Sequence, residues 1–345
     1  MWVQRYLACD EVEIRGISVH SRVNVNNDGI DIDGSQRVRI SDCEISSGDD
    51  AIVLKATADR PCKDVVIANC VLSSACNALK LGTESNGGFE NIAISNCTIY
   101  DTRLAGIALE MVDGGVLDRV SISNIVMNGV ATPVFIRLGD RARPIAEGGA
   151  RPPVGKLRNV SIANVQAVGA GSVGCAVAGL PGHAIENVVL ENLRLTFAGG
   201  GKRADASREI PENAAKYPEH NMFGTLPAYG FYCRHLKGLS LRNISTGFSK
   251  DEERPALVCD DVEGLELAGS ALAGSVRLQQ VKDAFVHGCR APGPIQTWME
   301  VSGNQSARIS VMGNDLGNAR KAVDVAGDVG KDAVFLNGNR VQQGP

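Results

Sequence analysis

The sequence predicts an all-β protein, a right-handed parallel β-helix (solenoid) of about twelve coils. The first observation is a recurring phrase: polar, apolar-x-apolar, two polar or small residues, then apolar or Cys. It reads KDVVIANCVL at 63, ENIAISNCTI at 90, DRVSISNIVM at 118, RNVSIANVQA at 158 and ENVVLENLRL at 186. The second is its period. The first apolar residues of the copies are Val12, Val38, Val65, Ile92, Val120, Val160, Val188, Leu239, Leu265, Ala284, Ile309 and Ala333. They are spaced by 26, 27, 27, 28, 40, 28, 51, 26, 19, 25 and 24 residues. The third is composition: 4 % aromatic residues and 39 glycines suit a thin core bounded by many turns.

Each copy alternates with period two, which is a strand pattern, and helical periodicity is nearly absent. Propeller blades need about 40 residues and four strands each, so a coil of three short strands and three turns fits better. Two side-chain files follow from the register. Asn69, Asn96, Asn124, Asn164, Asn192 and Asn243 occupy one turn position, where Asn tolerates the left-handed conformation and its amide can bond its neighbour one coil away. Cys43, Cys70 and Cys97 share the next position with Ile125, Val165, Leu193 and Ile244. They are expected to be small buried hydrophobes rather than disulfide partners. No C-x-x-C pair occurs among the ten cysteines.

The chain is expected to be one domain, 1–345, with loop insertions near 139–155 and 199–228 accounting for the two long spacings. Loops inserted into solenoids gather on one face and wall a groove. The first repeat begins by residue 12, which leaves no room for a cap and suggests a truncated N-terminus. No signal-peptide pattern opens the chain.

Thirty-five Lys and Arg against 39 Asp and Glu give a net charge of −4. This excludes a strongly basic nucleic-acid binder, and no apolar run is long enough to cross a bilayer. The expected partner is a polysaccharide or oligosaccharide; no nucleic acid, membrane, metal or cofactor is expected.

The chemistry concentrates early. N-N-D-G-I-D-I-D-G from Asn26, G-D-D-A-I-V-L-K from Gly48, C-N-A-L-K-L-G from Cys76 and A-G-I-A-L-E from Ala105 align by their apolar residues. Ile30, Ile52, Leu79 and Ile107 then stack, as do Ile32, Leu54, Leu81 and Leu109. Asp28, Asp50, Asn77 and Ala105 fall in one file, with Asp49 beside Asp50. Neighbouring coils lie about 4.8 Å apart. Carboxyl groups that close repel, and one keeps its proton to higher pH. Glycoside hydrolysis uses such a set, one carboxyl protonating the leaving oxygen and another activating water. An acidic turn cluster, able to hold Ca²⁺, is the alternative.

The N-N-D-G and G-D-D motifs, with their aspartates 21 residues apart on a β-helix, resemble glycoside hydrolase family 28, the polygalacturonase and pectin-hydrolase family. The resemblance is strongest over residues 8–140. It implies an inverting hydrolase of pectin-like polysaccharide, exported from the cytoplasm, with Asp49 as general acid and Asp28 and Asp50 activating water. Two motifs depart from the family. Its G-H-G corresponds to Cys76, Asn77 and Ala78, so Asn77 replaces a histidine. Its R-I-K, which holds a uronate carboxylate, corresponds to Ala108, Leu109 and Glu110. Lys80 or Lys55 would have to supply the missing positive charge, or the sugar at that subsite is not an ordinary galacturonate. Asn77, Lys80, Glu110, Lys55, Arg137 and Tyr229 are the expected substrate-binding residues. A polysaccharide lyase with Lys80 as base and Asp31 and Asp33 on Ca²⁺, a non-catalytic carbohydrate-binding β-helix, and a structural fragment of a longer adhesin are the rivals.

The remaining signals are weaker. G-A-G-S-V-G at 169–174 matches a dinucleotide pattern but opens no helix, so it is a turn. The five histidines show no ligand spacing. Tyr217, Phe223, Tyr229, Phe231 and Tyr232 cluster in and after the long insert, where rings either stack on sugars or anchor the loop. Arg137, Arg141 and Arg143 either bind a carboxylate or solvate an exposed loop.

Overall fold

The computed structural model describes residues 2–342. Among them a short 3₁₀ turn, Arg203–Ser207, is the single helical element, and every named strand pairs in parallel. No helix is long and apolar enough to cross a membrane. The backbone partners run Val38, Val65, Ile92, Val120, Val160, Val188, Leu239, Leu265, Ala284 and Ile309. Each repeat therefore stacks on the one before it, which makes the chain a parallel β-helix. The ladder departs from the expected register at its last step. Ile309 pairs with Val334 rather than Ala333, because Ala333 closes a turn by donating its N–H to Gly330.

The apolar residues of the repeat point inward and form one long core, built mainly from Val, Ile and Leu. The asparagine file lies along one turn. Asn69, Asn96, Asn124, Asn164, Asn192 and Asn243 all have φ between 50° and 57°. From Asn96 onward each amide donates to the preceding Asn at 2.8–3.3 Å. A residue with a Cβ pays for this backbone conformation, and Asn recovers the cost through its amide. A second file, Asn187 on Asn159 on Asp118, does the same at another corner. Cys43, Cys70 and Cys97 are buried free thiols, and Cys97 is in register with Ile125, Val165, Leu193 and Ile244.

Two excursions leave the coil. Residues 139–155 connect the strand Val116–Leu138 to Lys156–Ala170; residues 200–230 connect Ile185–Gly199 to Phe231–Lys250. The longer one folds back over the outward face of the sheet. Its Met222, Phe223 and Leu226 are buried against Ala105, Ala108, Phe135, Ala176, Tyr232 and Val258. Those outward positions are small or apolar because the insert, not water, covers them.

Candidate active site

The strands Ile30–Asp33, Ile52–Ala56, Leu79–Ser85 and Phe89–Met111 lie side by side. Their register is the one the apolar residues require: Ile30, Ile52, Leu79 and Ile107 are partners, and Ile32, Leu54, Leu81 and Leu109 are partners. The turn before each strand is clamped to the next coil. Gly29 N–H donates to Asp50 O at 2.9 Å, Ala51 N–H to Asn77 O at 2.9 Å and Ala78 N–H to Ala105 O at 3.0 Å. This brings Asp28, Asp50 and Asn77 into one file. Gly29 is needed there, since a Cβ would lie 2.5 Å from Ile45 Cγ2 and 2.6 Å from Ala51 O.

Asp50 is the most heavily bonded member. Its Oδ1 accepts from the Asn77 backbone N–H (3.1 Å) and side-chain amide (2.9 Å), and its Oδ2 pairs with Lys80 Nζ at 3.0 Å. Asn77 Oδ1 in turn accepts from Ala105 N–H at 3.0 Å, so Asn77 fixes Asp50 between two coils. Asp49 Oδ1 accepts the Asp50 N–H at 2.9 Å, and Asp49 remains partly exposed at the lip. Asp28 is buried. Its Oδ2 faces Lys55 Nζ at 3.4 Å and its Oδ1 has no hydrogen-bond partner. Burial pushes its carboxyl up to about 6; Lys55 opposes this, and Asp50 and Asp49 add to it. Asp31 is pushed up to about 9 by burial and by Asp28.

Both lysines are buried and already paired. Lys55 reaches Asp28, Asp31 (3.6 Å) and Glu84 (3.6 Å); Lys80 reaches Asp50 and Glu110 (3.5 Å). Burial favours the neutral amine, but the facing carboxylates outweigh it and both ammonium groups are held above their ordinary range. Glu110 is sealed under Lys80 and Thr83, and burial pushes it up to about 8 against the pull of Lys80.

Several expected sugar contacts lie elsewhere. Tyr229 is in the core, its ring edge-on to Phe197 and Phe248 and its hydroxyl bonded to Thr246 and Ala273. Arg137 is buried under the insert, over the Phe223 ring, with its guanidinium bonded to the carbonyls of Gly179 and Glu212. Glu110 does not reach the surface. Arg141 pairs with Asp113 and with Glu84 at 3.4 Å, tethering the shorter insert. Asp33 is bound by Arg5 and Thr57.

The structure also recruits residues that the repeat could not reveal. Trp2 lies 4.4 Å from Lys55 Nζ. From the long insert, Tyr217 is 5.7 Å from Lys80 Nζ, and its hydroxyl accepts from Thr83 at 3.0 Å. Glu219 joins the same cluster. Burial pushes it up to about 7; Lys80 and the Asn77 amide oppose this, and Asp50 and Asp49 reinforce it. The tyrosine cluster in the insert was a visible signal, but no periodicity marks Glu219.

Residues 3–216 match the family model for glycosyl hydrolases family 28. No curated protein sequence matches the chain significantly. Among solved structures, the exopolygalacturonase of Thermotoga maritima is similar at 22 % identity and a TM-score of 0.50. That match covers 57 % of this chain and 45 % of the other. The family 28 exopolygalacturonase of Yersinia enterocolitica is similar at 16 % identity and a TM-score of 0.56, over 76 % and 43 % respectively. The A-module of an Azotobacter vinelandii mannuronan C-5 epimerase is similar at 9 % identity and a TM-score of 0.55, over 92 % and 91 %. The chain thus spans less than half the length of either exopolygalacturonase, and these likenesses concern the fold.

Proposed function

We propose, from the premise that this chain belongs to glycosyl hydrolases family 28, that it cleaves a glycosidic bond in a pectin-like or related polysaccharide by an inverting three-aspartate mechanism. The observation that carries this is the file of Asp28 and Asp50 with Asp49 beside them at the lip. Asp49, the partly exposed member, protonates the leaving oxygen as the C–O bond breaks. Asp28 and Asp50 orient a water and take its proton as it attacks from the opposite face. Asp28 must be ionised for this, so kcat/KM rises as pH passes its value of about 6. Asn77 holds Asp50 in place.

Two features support a finer reading of the substrate. Lys55 and Lys80 are committed to carboxylates of the protein, and Ala108 and Glu110 stand where the family grips a uronate. The subsite beyond Asn77 therefore favours a neutral or differently linked sugar over galacturonate. The insert also seals the sheet face over Ala108 and Phe135, which suits attack at a chain end and matches the exo-acting relatives. A lyase is disfavoured, since Lys80 is buried and held between Asp50 (3.0 Å) and Glu110 (3.5 Å) rather than free to act as a base. We place the enzyme outside the cytoplasm, as one solenoid domain of about twelve coils with the two inserts as groove walls.

Reducing-end release from a panel of pectic and neutral polysaccharides tests the proposal. Hydrolysis without unsaturated, ultraviolet-absorbing products is expected, together with weak action on polygalacturonate. Unsaturated products would identify a lyase, and no cleavage of any polymer would leave a binding module.

A further inference from the structure

The two lysines that flank the carboxyl file are each roofed by an aromatic ring. We propose that these rings, Trp2 and Tyr217, are stacking platforms for sugar rings on the two sides of the bond to be cleaved, and that they hold the substrate in place of the family's charged grip. This rests on the reading of the file as a glycosidase site. It names what binds there: pyranose rings that present a C–H face and need no carboxylate.

Trp2 enters from the first coil. The Val3 N–H donates to Asp28 O at 2.9 Å, which sets Trp2 beside Asp28. Lys55, the partner of Asp28, has its Nζ 4.4 Å from the centre of the Trp2 ring, and Arg5 Cζ lies 4.9 Å from it. Tyr217 enters from the longer insert. Lys80, the partner of Asp50, has its Nζ 5.7 Å from the centre of the Tyr217 ring, and Arg141 Cζ lies 5.4 Å from it. Lys55 reaches back to Asp28, one coil earlier, and Lys80 reaches forward to Glu110, one coil later. The two rings therefore stand toward opposite ends of the file, with its aspartates between them.

Lys55 and Lys80 are only 5 % and 3 % exposed. A ligand in the site therefore meets the rings, not the ammonium groups beneath them. Tyr217 is 47 % exposed, even though its hydroxyl accepts from Thr83 at 3.0 Å and its ring lies over two buried cations. What remains open is the side turned away from the sheet. The turn that carries it is braced. Lys216 N–H donates to Asn213 O at 3.0 Å, and Lys216 Nζ and the Asn213 amide both donate to Met222 O, at 2.8 and 3.0 Å. A ring fixed before binding loses little freedom on binding. Phe223, Tyr229, Phe231 and Tyr232 are all buried, so Tyr217 is the member of that aromatic cluster able to meet a sugar. The face of an aromatic ring is electronegative and attracts the polarised C–H groups of a pyranose as it does a cation. Such a contact selects ring shape rather than charge. That agrees with Ala108 and Glu110 standing where the family has its charged grip.

The test uses the full chain carrying Asp49→Asn, so that binding is read without turnover. The chain has two tryptophans and Trp298 is buried in the core, so a change in emission on adding sugar reports on Trp2. The probes are tetragalacturonate, its methyl ester, galactotetraose and cellotetraose. At least one uncharged probe should quench the emission and shift it to shorter wavelength. By calorimetry, the Kd of that probe should rise about five- to tenfold in Trp2→Ala and in Tyr217→Ala, and stay within about twofold in Trp2→Tyr and Tyr217→Phe. A Tyr217 that merely anchors the insert would lower the melting temperature and leave the affinity alone. Emission that no probe moves, or an affinity that either alanine variant leaves unchanged, would overturn the platforms. If the wild-type chain cleaves a polymer and one of those results is found, the platforms fail and the hydrolase reading stands. If binding depends on both rings and no polymer is cleaved, the hydrolase reading fails and the platforms stand.

Discussion

Two stretches of one file on the outward sheet face differ in chemistry. At one end, over Ile30–Asp33 to Leu79–Ser85, the face carries Asp28, Asp31, Lys55, Asp50 and Lys80, nearly all buried. From the next coil onward, in the register of Lys80, it carries Ala108, Phe135, Ala176, Tyr232 and Val258, also buried. The coil geometry is shared, so it cannot explain the difference. Covering apolar groups is favourable by about 25 cal/mol per Å². Covering charges is unfavourable unless they are paired, and even paired they rarely beat a hydrophobic substitute. Asp28 Oδ1, both Asp31 oxygens and Glu110 Oε1 make no hydrogen bond, although Lys55 faces Asp31 at 3.6 Å. A face that could have been apolar, as its neighbour is, keeps buried carboxyl groups whose oxygens are only partly satisfied, a cost that the proposed catalytic role would account for.

The comparison breaks most sharply at Asp49. Asp49→Asn keeps the shape of the lip but removes the transferable proton, so hydrolysis should fall by about 10²–10⁴-fold. Circular dichroism and the melting temperature should be nearly unchanged. Retention of full activity would leave the polar end without the role assigned to it.

Next come the two kinds of burial. Phe135→Ala opens a hole under the insert and should cost about 3–5 kcal/mol. Lys80→Met leaves Asp50 and Glu110 facing each other without their cation and should cost a similar amount, about 3–5 kcal/mol. Denaturant unfolding would not separate them, but pH would. The Phe135→Ala deficit should be flat between pH 5 and 9. The Lys80→Met deficit should shrink toward acid, where its stranded carboxyl groups protonate.

How much of this was legible depends on which residues repeat. Asp28, Asp49 and Asp50 could be aligned because Ile30, Ile52 and Leu79 mark the register around them. The asparagine and cysteine files were readable for the same reason. Glu219 and Tyr217 sit in an insert with no register, so only folding brings them to the site. Tyr229 looked like a sugar platform because it is an aromatic residue near that insert. In fact the chain is re-entering the coil there, and the ring turns inward. The burial of Glu110 and Arg137 was equally hidden, since a period of two marks them as outward and says nothing of what lies on top.

The polar end should also respond to pH as a whole. Asp28, Glu110 and Asp31 have folded values of about 6, 8 and 9, each above its ordinary carboxylate range because of burial. A raised folded value means that the native state holds the proton more tightly than the unfolded chain. The resulting stabilisation is complete below about pH 4 and is lost as pH rises through 6, 8 and 9. The melting temperature should therefore decline from pH 5 to 9. Glu110→Gln should flatten the part of that decline centred near 8, and an identical slope in the variant would show that Glu110 does not carry it.

The smallest effect tests whether the coil itself is the same in both regions. The asparagine file passes behind each of them. Asn69, on a coil of the acidic end, donates to Asp42 and accepts from Asn96, both at 3.3 Å. Asn164, on a covered coil, donates to Asn124 and accepts from Asn192, both at 3.0 Å. Both have φ near 56°. Replacing either by Ala should cost about 1–2 kcal/mol for the left-handed backbone, with about 1 kcal/mol more for the lost bond. Replacing either by Gly removes the backbone cost and leaves mainly the bond, so the Gly variants should recover at least half the loss. If the regions differ only in what lies on their outward face, the two sites should agree within about 0.5 kcal/mol. A much larger loss at Asn69 would mean that the polar end strains its own coils, and that the carboxyl file draws on the scaffold rather than resting on it.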